Sequence, residues 1–447
     1  MRILTRRLRV PPRYAPCEPQ VEVMDLHGEH VAYDPNSACV VQVSKKQADA
    51  LKAGVHEFTG LLYSRIKPVE RRFTETPVHK IVLNLTHGCN LNCTYCFAKP
   101  YADAARMSLH TALDSLNLFR EDHDINIAFF GGEPLLNWPV LVAVAERAHT
   151  LVAGRRVKIG NGKTRPARAS LHVTTNGTRI DAVVAATLKR LNVSLLVSMD
   201  GPKDIHNASR PARKGDSFTQ TLRGLHCLKN AGYSRGVMCR ATFSGNNPRL
   251  VDRLNFFDGL RKEGLVNSVS IEPAILSEGC GSREQGGYDL AAMADEWHQA
   301  AQWYLAHVKA ERNPLRVFFF NKLGRRILDG DWHHNECGAG RGYLTVGPTG
   351  NLYACHREEG TEIGTLADGR DERAEPWTRN YLSEHPECAN CWARYLCGSG
   401  CPQARIAVGG SLDAETPTLC EMRKIIYRET FWILTQLSND ELGRIWP

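Results

Sequence analysis

The chain has 447 residues, with 56 Lys and Arg against 48 Asp and Glu, a net charge of +8 and 43% hydrophobic residues. This length exceeds what one hydrophobic core usually serves and predicts two or three domains of an ordinary globular protein. No apolar run approaches the roughly 18 residues of a membrane span, and the start MRILTRRLRV lacks the apolar core of a secretory signal, so the expectation is a cytoplasmic enzyme with no membrane partner. Basic residues group from Arg6 to Arg13 and from Arg155 to Arg168. The second group has no interleaved aromatics and reads as solvated surface rather than a nucleic-acid site.

In chain order, VEVMDLHGEHVAYDPNSACVVQVSKKQADALKAG reads as two or three strands with polar turns (HGEH, DPNS) and then a helix, a small α+β unit. From Lys80 onward short apolar runs alternate with amphipathic stretches, the pattern of parallel strands joined by helices. The strand candidates are KIVLNL (80–85), INIAFF (125–130), ASLHVTTN (169–176), VSLLVSMD (193–200), RGVMCRATF (235–243) and SVSIEP (268–273). Six such units predict a barrel or most of one. Unusual residues follow or end each strand: the cysteines after the first, Gly131 to Glu133, Asn176, Ser198 and Asp200, Arg240 and Thr242, and Glu272. In parallel barrels these ends form the active face, so the residues are expected to converge on one cavity. After Pro314 the periodicity fades and glycine, cysteine and turn residues dominate, as in a domain held together by metal rather than by a large core.

Fifteen cysteines without a secretion signal argue for metal ligation rather than disulfides. Cys17, Cys39, Cys227, Cys239 and Cys280 stand apart and read as buried or idle thiols. The other ten form two groups. Cys89, Cys93 and Cys96 are spaced C-x3-C-x2-C in THGCNLNCTYCF. Three thiolates on one loop can grip three corners of an iron-sulfur cubane and leave its fourth iron free. Structural zinc wants four protein ligands, and no fourth lies nearby.

With Phe97 after the third cysteine, this spacing resembles the signature of the radical S-adenosylmethionine (SAM) superfamily. The resemblance implies a cluster at Cys89, Cys93 and Cys96 whose free iron chelates SAM. It also implies a catalytic 5'-deoxyadenosyl radical that takes hydrogen from a substrate. FFGGEPLL resembles the family's GGEP motif, in which Gly131, Gly132 and Glu133 would hold the methionine ammonium. Ser198 and Arg210 match positions that contact the ribose and the SAM carboxylate. The same resemblance assigns Phe97, Asn176, Asp200 and Ile271 to the cofactor site.

The second group runs Cys337, Gly350, Cys355, then C-x2-C-x5-C-x3-C at Cys388, Cys391, Cys397 and Cys401, then Cys420. Seven ligands do not divide into zinc sites without a remainder. The pattern is similar to the seven-cysteine motif of SPASM domains, which implies two auxiliary clusters, [4Fe-4S] in kind, and three iron-sulfur clusters in all. On that scheme Cys388, Cys391, Cys397 and Cys420 ligate the distal cluster, and Cys337, Cys355 and Cys401 the proximal one. Fully ligated relatives carry an eighth cysteine where this chain has LDGDWHHNE, so either Asp331, His333 or His334 completes the shell or the site accepts a substrate thiolate.

The whole set, with LNLTHGCNLNCTYCFA, FFGGEPLLN, VTTNG, SMDG, SIEPAI and YACH, resembles maturases of ribosomally made peptides, especially those of six-cysteine precursors. The implied fold is a partial (β/α)6 barrel (78–312) with an N-terminal α+β leader-recognition-like unit (1–77), a bridging region (313–335) and a cysteine-rich SPASM domain (336–447). The implied partners are a precursor peptide with its leader, bound by β-augmentation, and a low-potential electron donor such as flavodoxin or ferredoxin. Thioether formation is favoured, since a carbon radical attacking a cluster-bound sulfur leaves its surplus electron on the cluster. The runner-up is a sulfatase-maturase-like formylglycine synthesis, in which an aspartate base follows the cysteine equivalent to Cys355; here that residue is His356. Carbon-carbon and carbon-oxygen crosslinking remain open.

Overall fold

The computed structural model describes residues 2–4, 14–16, 20–54, 66–68, 77–98, 105–159, 162–245, 247–275 and 288–446. Cys17, Cys280 and the grouping from Arg6 to Arg13 lie outside them. The six strands expected after Lys80 form as Lys80–Asn84, Ile125–Phe130, Ala169–Thr175, Val193–Ser198, Val237–Phe243 and Ser268–Pro273. Each pairs parallel with the next in that order. Helices Trp138–Val152, Ala182–Arg190, Ser217–Asn230, Leu250–Lys262 and Leu290–Ala310 lie along the chain between and after them. Three of these start on an aspartate, Asp181, Asp216 or Asp289, whose side chain accepts a free N–H of the first turn.

Period-two alternation decides what faces where. In Ile125–Phe130 the residues Ile125, Ile127 and Phe129 are sealed, while Asn126, Ala128 and Phe130 are half-buried. Val193–Ser198 and Val237–Phe243 repeat the pattern. The sealed set packs with helix residues such as Leu141, Leu225 and Leu254 into the main core, where each large aliphatic contributes about 1.5–3 kcal/mol. The other set points into the barrel, and Ala128, Phe130, Leu196, Ser198, Arg240 and Thr242 line a cavity there.

The C-terminal region differs from the expectation of a part with little core of its own. Tyr343–Val346 pairs parallel with Lys80–Asn84, and Asn351–Cys355, Glu358–Thr365 and Gly369–Arg370 continue antiparallel from it. Arg316–Val317 adds to the far edge beside Ser268–Pro273, giving one sheet of eleven strands. Leu344, Val346, Leu352, Ala354 and Ile363 join the same core as the barrel. The strands are short and set between glycines, so no periodicity accumulates. Helix Pro417–Gln436 packs against Leu290–Ala310; buried residues almost all round its last turns hide its amphipathic signal.

The N-terminal unit has the expected strands, Glu22–Leu26, Glu29–Asp34 and Cys39–Val43, followed by helix Lys45–Lys52 with a Ser44–Gln47 capping box. Asp34 closes the second turn by accepting from Asn36 N (2.9 Å) and Ser37 Oγ (2.7 Å). Arg2–Ile3 adds a fourth strand beside Cys39–Val43. Among the described residues no helix is long and apolar enough to cross a membrane.

Candidate active site

A cavity of about 300 Å³ opens at the C-terminal ends of the barrel strands. One wall is the loop after Lys80–Asn84, which carries Cys89, Cys93 and Cys96; Gly131 and Gly132 stand beside it. The two segments meet through backbone: Gly132 N donates to Thr86 O (2.7 Å) and Glu133 N to Gly88 O (2.9 Å). A Cβ on Gly131 would lie 2.4 Å from Thr86 O, and one on Gly132 2.3 Å from Gly88 O. Gly131 also holds φ at +133°. Only glycine permits this approach.

Glu133 is fully buried and acts as an anchor. Its Oε1 accepts from Leu135 N (3.0 Å) and Thr175 Oγ1 (2.7 Å), and its Oε2 accepts from Asn176 N (2.7 Å). Burial pushes its carboxyl up, against the pull of these donors. Asn176 in turn spans the loops, donating from Nδ2 to Asn90 Oδ1 (2.9 Å) and toward Cys89 Sγ (3.9 Å).

Arg210 reaches the cavity with its Nε 3.0 Å from Asp200 Oδ1 and its Nη1 4.0 Å from Cys93 Sγ. Asp200 itself is sealed behind it, accepting from Tyr95 O–H (2.5 Å) and Thr242 N (2.9 Å). Ser198 lines the cavity, and Phe97 stacks with Phe130 at 6.2 Å between ring centres. Two expected cofactor residues do not line it: Asp200 lies behind Arg210, and the Ile271 side chain is packed in the core, while Pro273, Ala274 and Ile275 form the wall nearby.

Residues from the C-terminal region complete the wall beside the triad. Tyr343, His356 and Arg357 face the cavity, with Tyr343 O–H on His356 Nδ1 (2.5 Å) and Arg357 over the Phe97 ring (5.2 Å). Burial pushes the His356 imidazole down to about 3, so it is neutral. Sequence reasoning missed Lys80, Tyr95, Tyr343 and Arg357 in this role. Tyr95 alone had one available, its place between two cysteines of the triad.

The remaining cysteines fall into two sets by electrostatic neighbourhood. Burial is the main force raising the Cys337 and Cys355 thiols, and Cys401 adds to both. Likewise Cys397 adds to the burial that raises Cys388, Cys391 and Cys420. Thiols of all three groups receive N–H donors: Leu91 N on Cys89 Sγ (3.4 Å), Arg357 N on Cys355 Sγ (3.5 Å) and Arg423 Nη1 on Cys397 Sγ (3.3 Å). Such donors suit sulfur that carries negative charge. None of these cysteine groups has ligand atoms mutually within 4.8 Å, whereas a tetrahedral zinc with bonds of about 2.3 Å holds its sulfurs about 3.8 Å apart. That spacing does not suit one zinc ion as it stands, and thiolates receiving N–H donors are a donor set that iron-sulfur clusters take. His333 is half-buried, and the loss of solvent there, with Arg326 adding to it, pushes the imidazole down to about 4.

Residues 83–256 match the Radical SAM superfamily. The chain is 25% identical over 394 residues to a cysteine-type anaerobic sulfatase-maturating enzyme of Clostridium perfringens strain 13, covering 81% of this chain and 99% of that protein. It is 26% identical over 355 residues to the mycofactocin maturase MftC of Mycolicibacterium smegmatis, covering 75% and 81%. The structure of native anSMEcpe with bound AdoMet and Kp18Cys peptide superimposes with a TM-score of 0.63 over 81% of this chain and 99% of that one, at 21% identity, a likeness of fold.

Proposed function

From the premise that this chain is an enzyme of the radical SAM superfamily, we propose that it matures a ribosomally made peptide by forming a crosslink, with a thioether favoured. The observation that carries this reading is the cavity lining: the loop of Cys89, Cys93 and Cys96 and, beside it, His356 and Arg357, directly after Cys355, face one space.

Cys89, Cys93 and Cys96 would hold a [4Fe-4S] cluster with SAM beside Gly131, Gly132, Ser198 and Arg210, supplying a 5'-deoxyadenosyl radical for hydrogen abstraction. The protein's share is orientation and exclusion of water. Glu133 and Asn176 lock the cysteine loop to the strand ends, and Asp200 aims Arg210. A peptide enters the cavity these residues line, where Arg240, paired to Glu272, and Lys80 offer charge to its backbone or acidic side chains.

A crosslink needs a substrate hydrogen atom, a thiol proton and one further electron removed. Cys337, Cys355 and Cys401 would hold the proximal cluster that takes the electron, and Cys388, Cys391, Cys397 and Cys420 the distal one that passes it to a low-potential carrier such as flavodoxin or ferredoxin. The thiol proton would be released to solvent when the sulfur becomes a ligand, as thiolate ligation requires. The N-terminal sheet would serve a leader strand.

A second reading, formylglycine formation, is favoured by the sulfatase-maturating relative matched over 81% of the chain. It uses the same wall, with His356 in the place of the aspartate base.

The deciding experiment is anaerobic reconstitution with iron and sulfide quantification, then dithionite and SAM with 5'-deoxyadenosine measured by chromatography. About twelve irons per chain, three cubanes of four, together with the nucleoside support the reading. Zinc in place of iron with no nucleoside overturns it. Mass spectrometry of a cysteine-containing precursor then separates the products, since a thioether removes two hydrogens and keeps the sulfur, whereas formylglycine loses it.

A further inference from the structure

Far from the cavity in sequence and in composition, His27, His298 and Glu429 converge from three elements. His27 sits in the turn between strands Glu22–Leu26 and Glu29–Asp34, His298 on helix Leu290–Ala310, and Glu429 on helix Pro417–Gln436. His27 Nε2 lies 3.0 Å from Glu429 Oε1, and His298 Nδ1 lies 2.9 Å from Oε2. The two imidazoles stack with centres 3.5 Å apart, and Trp432 meets both edge-on at 5.7 and 5.1 Å. Among the described residues this is the one His/Cys/Asp/Glu group whose ligand atoms all lie within 4.8 Å of one another.

We propose that His27, His298 and Glu429 bind one zinc ion that staples the N-terminal unit to the barrel and to the helix bearing Cys420. Two imidazole nitrogens and one carboxylate oxygen are a donor set that zinc takes readily. Tetrahedral bonds of about 2.0–2.1 Å place ligand atoms about 3.3 Å apart, a few tenths of an ångström beyond the separations here. Two rings stacked 3.5 Å apart cannot both aim a lone pair in-plane at one ion, so ligation also turns the His27 ring off His298; its place on an exposed turn and its 41% side-chain exposure allow this and leave water to fill the fourth position.

The surroundings favour ligation. Gln302 lies 3.0 Å from His298 Nε2 through its amide, whose nitrogen and oxygen are interchangeable by a flip. With the oxygen inward it accepts the Nε2 proton and leaves the Nδ1 lone pair facing Glu429, the arrangement by which metal-bound histidines are usually oriented. Glu429 is 6% exposed, and Trp432 shields the ion from bulk water. The ligands come from three separate elements that the ion would tie together, so the role is structural. The small unit gains from it: its outer face buries only Ala32, Cys39, Val41, Val43, Ala48 and Leu51, and bound metal adds binding free energy to folding.

The test uses the iron-loaded full chain, washed with chelator and given one equivalent of zinc chloride. Crystals measured on both sides of the zinc absorption edge should show an anomalous peak bounded by His27 Nε2, His298 Nδ1 and Glu429. Zinc content should fall by one equivalent in His298→Ala with iron content unchanged. His27→Asn, a residue that tolerates the left-handed turn, should lose the same equivalent and keeps the test sound if His298→Ala misfolds. An anomalous map blank at this site, or equal zinc content in wild type and His27→Asn, overturns the proposal; two imidazole N–H groups then simply satisfy a buried carboxylate.

Discussion

Asp200 and Arg210 form a buried ion pair, Nε to Oδ1 at 3.0 Å, whose guanidinium leans on Cys93 and stacks over Tyr95 at 5.3 Å. Asp200 also receives Tyr95 and Thr242, so one carboxylate fixes a cysteine-loop tyrosine, the cavity arginine and a strand end. Removing its charge alone leaves the arginine buried without compensation, which costs about 3–5 kcal/mol. Asp200→Asn should therefore lower urea stability by that order. The double variant Asp200→Asn/Arg210→Met should be less destabilised than the single one. A double variant as unstable as the sum of both singles would mean that the pair does not act as a unit.

The glycine pair gives a sharper, local prediction. In Gly132→Ala the new methyl meets the Gly88 carbonyl, which belongs to backbone and cannot swing away. The cysteine loop must shift, and displacement by about 1 Å at a reacting centre costs about 100-fold in rate. Reductive SAM cleavage should fall by that order while iron content holds. Gly259, on a helix with nothing within 4 Å of its would-be Cβ, is the control: Gly259→Ala should keep full cleavage and add up to about 1 kcal/mol of stability.

What the sequence made legible follows from locality. Ile125–Phe130 and Ser268–Pro273 form with the expected bounds: in the first, burial of its helix face writes that face into every second residue, and in the second a short apolar run with Val269, Ser270 and Ile271 all buried marks a strand covered on both faces. The HGEH and DPNS turns were equally plain. Tyr343–Val346 was not: its partner is Lys80–Asn84, far back in the chain, and four residues between glycines carry no period. The part of the cavity wall beside the triad, with Tyr343 and Arg357, was hidden for that reason. Asp200 ended one expected strand and Ile271 lay one residue before the Glu272 that closes another, but position near a strand end does not say which of two adjacent residues looks inward. His27, His298 and Glu429 are each unremarkable in sequence and meet only through helix packing.

His206 makes acid stability testable. It is fully buried, its Nδ1 accepts from Asp200 N at 3.2 Å, and burial pushes its imidazole down to about 4 against the pull of Asp200. The unfolded chain takes up a proton near pH 6.5 while the folded chain does not, so stability declines as pH falls from about 6.5 toward 4 and is fully present above that window. At pH 5 the loss amounts to about 2 kcal/mol. In His206→Asn, whose amide oxygen can replace Nδ1, urea midpoints between pH 7.5 and 5 should show that much less decline than wild type. Parallel pH profiles would show that His206 does not titrate on unfolding.

Arg423 concerns the electron path. Its Nη1 donates to Cys397 Sγ at 3.3 Å, and its charge, opposed by burial, is favoured by Cys397 and also by Cys401 of the other set. Gly400 makes room for it, since a Cβ there would lie 2.9 Å from Nη1. A cation and an N–H on ligand sulfur stabilise the reduced state of a cluster and raise its potential. With clusters bound as proposed, Arg423→Met should lower the potential of the one held by Cys397, with about 60 mV for each tenfold change in the one-electron equilibrium, and Arg423→Lys should recover part of the shift. Potentiometric titration followed by electron paramagnetic resonance reads this directly. Iron retained with an unmoved potential would mean the guanidinium serves only to pack Cys397, Tyr427 and Glu336 together, and that the direction of electron flow between the two cysteine sets is set by ligation and solvent exposure instead.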